Sequence, residues 1–158
     1  AITSYGFFGS GVYYQYAVLD VAHLRESLAG DQKRAAAAID ALLDGLVHAQ
    51  PKGKRNAFGS DVAAGFVLCD RGNAPATNLG AAFLRPVQAK DEEAADLMLR
   101  SIERLKGFHA TLKQAYALPT ESCAFVAHPP ARKGNQPPAG EVWTYAELRA
   151  FAKGAVSA

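Results

Sequence analysis

Between Asp31 and Pro51 the apolar residues Ala35, Ala38, Ile39, Leu42, Leu43, Leu46 and Val47 recur at intervals of three and four. That spacing aligns them along one stripe of an α-helix and turns Lys33, Arg34, Asp40 and Asp44 outward. Asp31 is placed to cap the helix and Pro51 to stop it. A one-sided helix needs a second layer to lie against. Flanking segments of β character can supply it, so the chain reads as an α+β protein.

The segment Val12 to Asp20, VYYQYAVLD, is rich in β-branched and aromatic residues and follows Gly9-Ser10-Gly11. It reads as a strand that is apolar on both faces, buried on both or packed against a partner. Asp20 is expected to cap a short helical turn, Val21 to Leu28, ended by Gly30. A second strand is expected from about Ala64 to Asp70, and Arg71 to Pro75 reads as a turn. Asn78 to Arg85 is either a short helix or a bent extended piece. Asp91 opens the longest predicted helix, to about Ala117, with the stripe Ala94, Ala95, Met98, Ile102, Leu105, Phe108, Leu112 and Tyr116. A third strand is expected over Ser122 to Ala127, and Pro129 to Gly140 reads as a basic loop. Thr144 and Glu147 form a capping box for a terminal helix reaching about Lys153.

Composition narrows the functional classes. The 158 residues are 49% hydrophobic and 20% charged, which suits one packed domain or a piece of one. A net charge of +2 is too small to argue nucleic-acid binding by itself. Cys69 and Cys123, the only cysteines, form neither a disulfide framework nor a zinc pattern. A reducing, cytoplasmic setting fits best. No apolar run reaches the length of a membrane span. The first residues lack the layout of a signal peptide and do not begin with Met, as expected of a trimmed chain or a piece of a longer one.

The stretch after the first long helix carries the functional signal. Lys52, Lys54 and Arg55 lie within four residues, and no acid occurs between Asp44 and Asp61. Gly53 lets a backbone approach a ligand closely. Asn56 offers a donor and an acceptor, and Phe58 a stacking face. Cations for phosphates, a bare backbone and a ring are what single-stranded RNA binding requires. A solvated surface turn is the alternative reading of the same residues. The segment is no P-loop, because Gly-x-x-x-x-Gly-Lys is absent.

The ordered pieces Gly9 to Asp20, Pro51 to Phe58, Asn78 to Phe83 and Ser101-Ile102 before Tyr116 together resemble the CasC family, the Cas-seven group of type I-E CRISPR systems. The resemblance covers only the C-terminal half of a family member. It implies half of a ferredoxin-like palm similar to an RNA-recognition motif, in a structural subunit that grips the guide RNA backbone inside a Cascade complex without reading its sequence. By that likeness residues 1–8 end the thumb, 9–70 form the palm half and 71–158 a C-terminal helical extension. The implied RNA contacts are Lys52, Gly53, Lys54, Arg55, Asn56 and Phe58. The implied partners are the guide CRISPR RNA, target DNA through the guide, neighbouring copies of the chain, other Cascade subunits, and a polypeptide carrying the N-terminal half. No cofactor or metal is implied. In a split β-α-β sheet the first strand separates the third from the fourth, so the strands at Val12 and Ala64 would lack their central neighbour.

Two other classes stay open. Cys69 with His48 or His128 as base would make a small α/β enzyme. A protein-only assembly module would use the apolar strand and helix faces. The four histidines, His23, His48, His109 and His128, show no metal spacing with the cysteines; His48 reads as a helix-end residue and His109 as surface or packing. Arg104, Lys106 and Lys113 on the long helix, and Arg132 and Lys133 beyond it, either add to a positive face or are simply solvated.

Overall fold

The computed structural model describes residues 11–49, 63–88 and 96–157. Helix α1 spans Val21–Ser27, capped by Asp20, whose carboxylate accepts from the His23 amide. Helix α2 spans Gln32–His48, and the Asp31 carboxylate accepts from the Arg34 amide at its start. Strand β1 is Phe66–Gly72, and a 3₁₀ turn follows at Leu79–Phe83. Helix α3 is Leu97–Ala115 and strand β2 is Thr120–Val126. A short 3₁₀ turn at Pro129–Ala131 precedes β3, Glu141–Val142. Helix α4, Tyr145–Lys153, ends the regular structure with a 3₁₀ turn at Gly154–Val156. The architecture is mixed α+β; among the described residues it has four helices and one three-stranded sheet in the order β1-β2-β3.

Strands β1 and β2 pair antiparallel, Phe66 opposite Val126 and Cys69 opposite Cys123, while β3 joins β2 in parallel. Successive strand residues point to opposite faces, and here each face has its own core. Val67, Cys69, Cys123 and Phe125 pack with Ala35, Ile39, Leu43, Leu148 and Val156 from the side of α2 and α4. Phe66 and Val126 pack with Met98, Leu99 and Ile102 of α3 on the other face. The sheet is therefore the middle layer between helices. Its first core joins residues from both halves of the sequence.

The α2 stripe is as expected, with Ala35, Ile39, Leu43 and Val47 buried, although Leu42 is exposed. The α4 capping box forms: the Thr144 hydroxyl accepts from the Glu147 amide and the Glu147 carboxylate accepts from the Thr144 amide.

Several expectations are corrected. Residues 11–20 form no ladder and all ten are exposed. Their β character lacks a neighbouring strand among the described residues, and side-chain type cannot make a strand without one. Strand β1 has β2 as neighbour on one edge and runs two residues later than expected, so Arg71 and Gly72 belong to the strand and not to a turn. The long helix has its cap at Asp96, whose carboxylate accepts from the Leu99 amide at 2.8 Å; Asp91 and the stripe residues Ala94 and Ala95 lie outside the described residues. Tyr116 follows the last helical turn and is exposed rather than packed. Asp40, expected to face solvent, pairs with Arg149 of α4.

Candidate nucleic-acid interface

Lys52, Gly53, Lys54, Arg55, Asn56 and Phe58 lie outside the described residues. The described chain on either side of them is the C-terminal end of α2 and the residues that open β1. Helix carbonyls leave partial negative charge at a C-terminus, which favours cations there. His48 occupies the last turn of α2 as expected, its Nδ1 3.2 Å from the Asp44 carbonyl and 3.1 Å from the Asp44 carboxylate. Its ring meets the Tyr145 ring edge-on at 5.6 Å between centroids, which ties this end of α2 to α4.

The other expected cations divide into two groups. Lys106 is paired with Glu141, Lys113 donates to the Ser122 hydroxyl at 2.8 Å, and Lys133 lies 3.4 Å from Glu103. Arg132 donates to the Val126 carbonyl at 2.8 Å and stacks over Trp143. These four hold the fold together. Arg104 donates to the Arg85 carbonyl at 2.6 Å and differs in lining an open groove. Arg100 likewise donates to the Gln88 carbonyl. Arg85 and Arg104 line one groove, and Arg100 and Arg104 the hollow beside it, a grouping that sequence reasoning misses. The i, i+4 spacing of Arg100 and Arg104 is the only local signal of it.

The residues of the catalytic alternative are not brought together. Burial pushes the Cys69 thiol up to about 11, with the neighbouring Asp70 charge adding to the effect. A thiol of that kind is a poor nucleophile at neutral pH. No hydrogen bond joins it to His48 or His128 among the described residues. His128 is held by Asp96 at 2.6 Å, at the start of α3 on the other face of the sheet, and His109 by Asp70 at 2.8 Å. Among the described residues, no group of three His, Cys, Asp or Glu could hold a metal ion, and no helix is long and apolar enough to cross a membrane.

The model of the CT1975-like protein family matches residues 3–147. The chain belongs to that family. The CT1975-like proteins are CRISPR-associated, a setting they share with the CasC family that the sequence resembles. No curated protein matches this CT1975-like chain. The family match takes in the first expected strand, the residues of the basic segment, the sheet and α1 to α3, and ends in the first turn of α4, short of the first-core residues Leu148, Ala152 and Val156.

Proposed function

We propose that this CT1975-like protein is a structural RNA-binding subunit that grips the guide RNA backbone in a Cascade-type complex of the type I-E kind, and that it catalyses no reaction. The observation that carries the proposal is a CRISPR-associated family match spanning Lys52, Lys54 and Arg55, cations with no acid nearby in sequence. Lysine and arginine neutralise phosphates whatever the base, so such a grip is independent of guide sequence. Sequence recognition then rests with base pairing between guide and target DNA. The raised Cys69 thiol supports a non-catalytic role. In this reading the protein works in the cytoplasm beside further copies of itself and other complex subunits, with a palm of the RNA-recognition-motif kind.

The test is the double variant Lys54→Ala/Arg55→Ala, purified as part of its complex. Guide RNA content should fall for every guide sequence alike. The salt dependence of binding should weaken by about 1.4 in slope, about 0.7 for each phosphate of a single strand that is no longer neutralised. Unchanged guide retention would remove the loop from the interface.

A protein-only assembly role is favoured by one observation. Val12, Tyr13, Tyr14, Tyr16, Val18 and Leu19 are all exposed on one run of chain. Purified protein that carries no RNA, yet assembles with other subunits, would establish that role instead.

A further inference from the structure

A groove of about 490 Å³ runs between α3 and the 3₁₀ turn with the chain that follows it, lined by Ala81, Leu84, Arg85, Arg104, Gly107 and Phe108. Arg104 also lines an adjoining hollow with Gln88, Arg100 and Glu103. Gly107 and Phe108 stand three and four residues after Arg104, and Arg104 four after Arg100, which puts them on one face of α3.

Two of the three arginines here are held on main-chain carbonyls. One nitrogen of Arg104 is fixed on the Arg85 carbonyl and one of Arg100 on the Gln88 carbonyl. None of the three arginines has a carboxylate partner among the described residues. Glu103, the one acid in the lining, is within 3.4 Å of the Lys133 ammonium. Arg34, Arg71 and Arg149, by contrast, each face a carboxylate. A guanidinium carries five donors, so one bond to a carbonyl orients it and leaves the rest free for an anion.

Gly107 is the second observation. A glycine inside a helix costs about 1 kcal/mol relative to alanine. A Cβ at this position would meet nothing within 4 Å, so packing against the protein does not call for glycine. Its effect is to leave the groove floor bare between Arg104 and the half-buried Phe108. Leu84 stands 85% exposed on the opposite lip. Oriented cations, open backbone and a ring beside an apolar lip suit a strand of phosphates with unstacked bases.

We infer that this groove is a second contact for single-stranded RNA, with Arg85, Arg100 and Arg104 on the phosphates and Phe108 beside a base. The inference rests on the RNA-binding function proposed above, and places a separate part of the strand on α3, apart from the loop after α2.

The experiment uses the 158-residue chain and a fluorescent oligouridine, titrated at several salt concentrations. Three proteins are compared: the parent, Arg85→Ala/Arg104→Ala, and Lys54→Ala/Arg55→Ala. The groove variant should bind roughly tenfold or more weakly, with its salt slope reduced by about 1.4. Gly107→Leu, which fills the floor without touching charge, should also weaken binding, and circular dichroism checks that it keeps its helix content. Photocrosslinking from 4-thiouridine should label the peptide containing Phe108. A groove variant with parent affinity and slope, beside a loop variant that has lost binding, overturns the groove and leaves the RNA function standing. A parent chain that binds no oligouridine overturns both.

Discussion

At the residue scale, the pair Asp40–Arg149 shows what spacing along a chain leaves out. Asp40 sits on the polar side of α2 by periodicity, yet Arg149 Nε donates to its Oδ1 at 2.6 Å and Arg149 Nη2 to its Oδ2, across 109 residues of sequence. Lys153 adds a more distant charge at 3.9 Å. The hydrogen bonds from Arg149 hold the Asp40 carboxyl below the usual carboxylate range. The amide of Leu99, and then His128, do the same for Asp96. A carboxyl with a lowered folded value stabilises the fold above its unfolded value, about 3.9, and that share is lost as pH falls through the folded value. The parent protein should therefore lose urea resistance as pH drops below about 4. Asp40→Asn should be less stable than the parent at pH 7 and show a shallower fall in that acid window, read as urea midpoints across a pH series. Identical pH profiles for the two proteins would show that the pair contributes nothing.

At the element scale, what the sequence made legible follows from how local each signal is. Helices α1, α2 and α4 have caps within three residues of their first turn, so Asp20, Asp31 and Thr144 could be read directly. Strand status depends on a neighbour, and this divides the two β-rich segments. Residues 66–72 find β2, while residues 12–20 find no strand among the described residues. Strand β3 has only two residues and no pattern that could announce it. The basic loop was legible as a cluster of charge, whereas the arginine groove depends on the chain after Phe83 lying along α3. Helix α4 is the element on which the first core depends most, since Leu148 is fully buried against α2 residues and the sheet. Leu148→Ala should cost about 2–5 kcal/mol, because the cavity is closed in by packed layers. The check is a fall in urea midpoint with an unchanged slope. Gly72 is a second sensitive point: its φ is +146°, and a Cβ there would stand 2.6 Å from the Pro119 carbonyl oxygen.

At the scale of the whole molecule, the run from Gly11 to Asp20 gathers six of the exposed large apolar residues among those described, Tyr13 at 87% and Val18 at 58%. Its amides and carbonyls up to Leu19 make no backbone hydrogen bonds among the described residues. Tyr14 tethers the run at one point: its hydroxyl accepts from the Leu79 amide at 3.2 Å, and its ring meets Phe83 at 5.9 Å. The segment is thus held beside the domain at Tyr14, with its backbone up to Leu19 unpaired among the described residues and most of its apolar side chains exposed. Such a segment lowers its free energy by pairing with another extended chain. An extended segment of another chain would supply that pairing, and the 158 residues on their own should pair with a second copy. Sedimentation velocity should show association that grows with concentration. Tyr13→Lys/Val18→Lys should suppress it, since lysine opposes edge-to-edge pairing, and Tyr14 is left in place so that the tether survives. A chain that stays monomeric across the whole concentration range would mean that the run satisfies its own backbone and needs no partner strand.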